Sequence, residues 1–210
     1  MSTTLASPLP VRRAGPVLGR LNGPWHRPAL WTFAAIVLAH WAEHLAQAWQ
    51  IWGMGMPRHR ALGVLGVAWP WLVHSEWLHY GYAVVMLAGL LLLWPGMAGR
   101  ARTWWSVALA IQFWHHAEHA LLLGQALTGW RLGPGPQPSS ILQLLVPRVE
   151  LHLFYNAVVF VPMVIGMAYH LFPSPAEAAR AGCSCARRPR AAAARPHPVR
   201  GGLQEAGRSN

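Results

Sequence analysis

Residues 82–94 read YAVVMLAGLLLLW, a run that offers no polar stripe to water on any side of a helix. A helix on the surface of a soluble bundle keeps such a stripe, so this run points to a helix surrounded by lipid. Residues 157–169 (AVVFVPMVIGMAY) repeat the pattern further along the chain. Working outward from these two runs, the apolar stretches fall into four candidate spans, at 29–51, 76–94, 103–127 and 150–172. Each is near the roughly 20 residues that cross a hydrocarbon core.

The composition agrees with this reading. Hydrophobic residues make up 54% of the 210 residues and charged residues only 11%, with a mean hydropathy of +0.26. That is too apolar for an ordinary soluble domain. The first span ends in WQIWGMG and lacks a small-x-small cleavage pattern, so it reads as a retained anchor. The expected domain plan is an arginine-rich leader over 1–28, a transmembrane domain over 29–172 and a disordered tail over 173–210. The tail is rich in Ala, Pro, Arg and Gly, a composition that buries little apolar surface. Its Cys183 and Cys185 form a lone C-x-C, a weak metal or redox signal.

All seventeen basic residues are arginine, and the net charge is +11. They lie outside the spans without an aromatic-interleaved stripe, which argues against nucleic acid and for anionic headgroups of the lipid bilayer as partner. Arg12, Arg13, Arg20 and Arg27 precede span one, Arg100 and Arg102 lie between spans two and three, and seven more follow Pro173. The positive-inside rule then places both termini and the short link between spans two and three in the cytoplasm, and the loops after spans one and three outside, in a protein of the cell membrane.

His40-Trp-Ala-Glu43-His44 in span one returns as His115-His116-Ala-Glu118-His119 in span three, at an offset of 75. Glu76 and His79 open span two, and Glu150 and His152 open span four, with the glutamates offset by 74. Two halves, about 29–98 and 103–172, would thus be parallel repeats about an axis along the membrane normal. The segments 62–73 and 139–146 are too short to cross and fit interfacial or re-entrant helices. The expected fold is all-α: a four-helix integral membrane bundle of two parallel two-helix repeats.

The polar residues fall at a common depth. Glu43 and Glu118 lie about 22 Å along their helices at 1.5 Å per residue, in the outer half. Glu76 and Glu150 begin the helices that return from that side. Ionisable side chains in hydrocarbon face the bundle interior and are paired. His40, Glu43, His44, Glu76, His79, His115, Glu118, His119, Glu150 and His152 are therefore candidate metal ligands. Glu and His with E-x-x-H spacing across four helices is the pattern of di-iron or di-manganese bundles. Zinc is the alternative ion, and haem between paired histidines suits the carboxylates poorly. A hydrogen-bonded His/Glu network without metal is the alternative that needs no ion. His74 and His116 would sit beside the site, where Gln47, Gln112, Gln125, Tyr80, Tyr155 and Asn156 could orient ligands.

The expected activity is that of a di-metal oxidoreductase on an apolar or lipid-like substrate, with an external electron donor. A zinc-dependent hydrolase is the second reading, and metal transport or a non-catalytic metal- or haem-binding subunit the third. The motif order differs from the metalloprotease H-E-x-x-H, so a protease is not indicated. The histidine-rich chemistry resembles that of membrane desaturases and hydroxylases, whose histidine boxes hold a di-iron centre acting on lipids. The boxes here are fewer and include glutamates, so the resemblance is one of chemistry alone.

Overall fold

The computed structural model describes residues 15–183 and residue 185. It is helical, with no strand among the described residues. Four long helices dominate: α2 (His26–Ala48), α5 (Glu76–Leu93), α6 (Gly99–Thr128) and α7 (Arg148–Leu171). Short helices flank them: α1 (Pro16–Leu21), α3 (Gly63–Ala68), α4 (Pro70–His74) and α8 (Pro175–Arg180). A π-helical turn, Trp49–Gly53, prolongs α2. The long helices match the four expected stretches to within a few residues.

Packing partners run round a ring, with α5 against α6, α6 against α7, α7 against α2 and α2 against α5. One end of the ring is marked by Asn22, which donates to Leu92 O (2.9 Å) and accepts from Gly96 N (2.9 Å). Arg100, in the first turn of α6, lies over the Tyr169 ring near the end of α7. This terminal end therefore gathers the starts of α2 and α6 and the ends of α5 and α7. The opposite, loop end carries α3, α4 and the segment 129–147.

The core is a dry layer that includes Leu30, Phe33, Val37, Met86, Leu90, Trp105, Val159 and Met163. Trp105 is fully buried, and its indole donates to Leu90 O at 2.9 Å, so the polar atom of the largest core side chain is satisfied. Two glycines let neighbouring helices approach closely. A Cβ at Gly166 would lie 3.2 Å from both Ala101 O and Trp105 N, and one at Gly89 would run into the Phe33 ring.

The outward faces are apolar as well. Trp31, Leu38, Leu91, Phe113 and Val161 are each more than half exposed. Among the described residues, two helical stretches are long and apolar enough to cross a membrane, Glu76–Gly96 and Arg148–Leu171, with mean hydropathies of 1.6 and 1.8. The sequence reading has four spans where length and composition select these two. In α2 and α6 the repeated histidines and glutamates, joined in α6 by Arg100 and Arg102, pull the average down.

The connecting segments differ from each other. Residues 62–73 form α3 and most of α4, as expected, whereas 139–146 supply only a 3-10 turn, Leu142–Leu144. The expectation of disorder from Pro173 onward is corrected over its first residues. Ser174 caps α8 reciprocally with Glu177. Glu177 accepts from Arg100 N and Nε at 2.9 and 3.0 Å through Oε1, and from Arg100 Nη2 at 2.9 Å through Oε2. Gly99 makes room for it, because its φ of 55° is glycine territory and a Cβ there would stand 2.6 Å from Glu177 Cγ. Residues 1–14 of the leader, and 184 and 186–210 of the tail, lie outside the described residues.

Two predictions follow from this packing. Gly89→Ala should destabilise the bundle by about 1–3 kcal/mol through overpacking against Phe33. Gly124→Ala, with nothing within 4 Å, should stabilise α6 by up to about 1 kcal/mol; thermal unfolding in detergent should therefore give shifts of opposite sign. The Arg100 guanidinium, then the Arg100 and Ser174 hydrogen bonds, hold the Glu177 carboxyl well below its usual 4.5. A depressed carboxylate stabilises above its unfolded pKa and loses that contribution as pH falls through the folded one. Protection of the α8 amides, taken relative to their intrinsic exchange rates at each pH, should thus be constant above 4.5 and fall on acidification below it, and Glu177→Gln should remove that fall.

Candidate metal centre

The repeated histidines converge in one layer near the loop end of the bundle. On α2, His40 and His44 are one turn apart, and their Nε2 atoms meet at 3.0 Å. On α6, His115 and His119 do the same at 3.2 Å. His79 from α5 and His152 from α7 stand between these two pairs. Their ring centroids are 5.8 Å apart, His79 lies 6.1 Å from His119, and His152 lies 5.6 Å from His44 and 5.3 Å from His119.

Three of these rings have a fixed orientation. His44 Nδ1–H donates to Gln47 Oε1 (2.9 Å), His79 Nδ1–H to Ser75 O (2.8 Å) and His152 Nδ1–H to Arg148 O (2.9 Å). A neutral imidazole that donates through Nδ1 keeps its lone pair on Nε2, which is how a metal-binding histidine is usually held. His152 Nε2 is buried and has no hydrogen-bond partner. The outer rings are steadied by tyrosines, with His40 stacked on Tyr82 at 3.5 Å between centroids and His115 tilted against Tyr155 at 4.2 Å. Trp114 donates to the Tyr155 hydroxyl at 2.8 Å.

The carboxylates turn elsewhere. Glu43 Oε1 accepts from Leu65 N (2.8 Å) and Gly66 N (3.2 Å), inside α3. Glu118 Oε1 accepts from Leu142 N (3.2 Å), at the 3-10 turn of the second connecting segment. Glu76 takes both arms of the Arg148 guanidinium, at 2.6 and 2.9 Å, and Glu150 takes Arg58 at 2.5 Å. Of the ten sequence-derived candidates, the six histidines come together. The four glutamates surround them and bind backbone amides or arginines.

A pair of glutamines completes the pattern. Gln50 donates to Gly63 O (3.1 Å) and accepts from Gly63 N (2.8 Å). Gln125 donates to Ser139 O (2.8 Å) and accepts from Ser139 N (3.3 Å) and Leu132 N (3.0 Å). Gln50 was not among the sequence candidates, yet it stands 75 residues before Gln125, the same offset as the histidines. Of the other flanking residues, Gln47 orients His44, Gln112 donates to Ala83 O and Tyr80 lies against His116. Asn156 Nδ2 is buried without a partner.

A cavity of about 670 Å³ reaches the layer from the loop end. His44, His79 and His152 lie at its wall, with Glu76, Arg58 and Arg148 beside them and Leu62, Val73 and Val149 supplying apolar surface. No protein-family model, curated protein or solved structure matches the chain.

Gln125 is 1% exposed, and truncating it would strand several backbone groups at once. Gln125→Ala should cost about 1–3 kcal/mol. The loss should be local, so the amides of Leu132 and Ser139 should exchange faster while those of α5 keep their protection; uniform acceleration across all four helices would contradict this.

Proposed function

We propose that the chain is an integral membrane metalloprotein in which His40, His44, His79, His115, His119 and His152 hold a pair of transition-metal ions between four spanning helices. The observation that carries this reading is the set of three imidazoles on three helices, each fixed through Nδ1 and lining one cavity with Nε2 free of its proton. Burying the His152 Nε2 lone pair without a partner is costly, and a cation removes that cost. Apolar outward faces on α2 and α6 support all four long helices as spans. The recurrence of His/His pairs, of Glu-to-connector bonds and of Gln-to-connector bonds at closely matched spacing supports a duplicated two-helix unit.

An all-imidazole donor set favours iron, copper or zinc over manganese, which prefers oxygen ligands. It also separates the chemical readings. Zinc hydrolysis calls for a carboxylate as general base near the ion, whereas Glu76 gives both oxygens to Arg148 and Glu43, Glu118 and Glu150 are each turned by one oxygen toward a backbone amide or Arg58. Redox chemistry makes no such demand, so an oxidoreductase supplied with electrons by a partner is the favoured activity. When bound, the ions would supply electron transfer and oxygen activation. The chain contributes ring orientation through Gln47, Ser75 and Arg148. Its mixed cavity suits a lipid-like substrate, with the apolar body against Leu62, Val73 and Val149 and the polar head near Arg58.

Metal analysis of detergent-purified protein tests this, in a Cys183→Ser/Cys185→Ser background that removes thiol ligands. About two ions per chain are expected, as in other two-metal bundles. His44→Ala/His119→Ala should abolish them. Glu43→Gln/Glu118→Gln should retain them, because an amide oxygen still accepts the backbone hydrogen bonds. A folded protein without stoichiometric metal would refute the centre, and loss of metal in the glutamine variant would return the carboxylates to the ligand set.

A further inference from the structure

A second cluster of ligand-type side chains lies at the terminal end of the bundle. His26 opens α2 and His170 closes α7, some 14 and 18 residues from His40 and His152, or about 21 and 27 Å along the helices. The two rings meet edge to face at 4.8 Å. Cys183 and Cys185, beyond α8, are both free thiols and both buried. One ligand atom each from His26, His170 and Cys185 lie within 4.8 Å of one another, the only such group of three among the described residues. Cys183 Sγ stands 3.3 Å from His170 Nε2.

The position of His26 is built into the fold. It is 0% exposed, yet neither ring nitrogen has a hydrogen-bond partner. Gly96 leaves the space the ring occupies, since a Cβ there would overlap it and stand 2.8 Å from Asn22 Oδ1. Enclosing both nitrogens of an imidazole without partners costs several kcal/mol in principle, of order 2 or more per polar group. Packing alone would place an apolar ring here. Two nitrogens and two sulfurs from three separate parts of the chain make a closed four-donor set, the composition of structural zinc sites. Tetrahedral closure on zinc brings donor atoms to roughly 3.4–3.8 Å apart, so His26, His170 and Cys185 need move only about an ångström, and Cys183 already stands 3.3 Å from His170 Nε2.

We propose that His26, His170, Cys183 and Cys185 form a structural site for one zinc ion that fastens the chain beyond α8 to the terminal end of the bundle. The site is independent of the histidine layer, which contains no sulfur. Zinc here acts as a clasp between the first and last long helices, beside the Glu177–Arg100 contact that ties α8 to α6.

Cobalt(II) titration of the metal-stripped full chain tests the proposal, because thiolate-to-cobalt charge transfer in the near ultraviolet reports sulfur ligation and the histidine layer cannot produce it. The expected result is a band whose intensity at saturation corresponds to about one sulfur-ligated cobalt per chain, whatever cobalt the histidine layer also takes up, and which is bleached by zinc. It should be absent in Cys183→Ser/Cys185→Ser, and the affinity should fall about tenfold or more in His26→Gln. A folded wild-type chain without the band, or a His26→Gln chain of unchanged affinity, would overturn it. Should His26→Gln fail to fold, maleimide labelling of the wild type decides. Zinc must then protect Cys183 and Cys185 from alkylation, and equal labelling with and without zinc would equally overturn the site.

Discussion

A polar side chain enclosed by apolar helices must find its partner inside the fold, because neither lipid nor a dry core supplies one. The carboxylates of this bundle answer that demand. Glu43 and Glu118 reach out of their helices to backbone amides of the connecting segments, and the connectors are shaped by what they donate. Glu76 on α5 binds Arg148 on α7, and Glu150 on α7 binds Arg58 in the segment before α3, which ties these elements together at the loop end. The histidines answer one another only in part. His40 with His44 and His115 with His119 make close pairs, while the proton-free nitrogen of His152 is left over.

The four long helices were readable because hydropathy and length survive translation into structure almost unchanged. The histidine layer was readable for a different reason: a repeat of four residues places both rings on one face, and the offset of 75 sets both faces at one depth. The partners of the carboxylates were not readable. A glutamate in an apolar stretch announces that it needs a partner, but backbone amides carry no signature in residue types, and Arg58 and Arg148 read equally well as topology signals. His26 and His170 escaped for the opposite reason. They lie far from the motifs along the chain and meet only because α2 and α7 run antiparallel as neighbours.

The same comparison explains why the polar motifs depress hydropathy where they matter most. In α2 and α6 the histidines and glutamates that lower the average face inward or bind the connectors, while Trp31, Leu38 and Phe113 keep the outer faces apolar. An average over a helix cannot separate an inner from an outer surface. Periodicity can in principle, but with nearly all remaining positions apolar the contrast is faint.

The paired anchors on α6 also govern how the chain tolerates changes of length. Glu118 and Gln125 grip Leu142 and Ser139 respectively, so the path from 139 to 142 is measured off against two turns of helix. One residue added within that stretch would pull one grip away from the other. Gly135 has open space around it, and chain added there enlarges a surface loop at small entropic cost while both grips stay in place. The second connector is thus divided into a portion whose length is dictated by the helix it clasps and a portion whose length is free to drift.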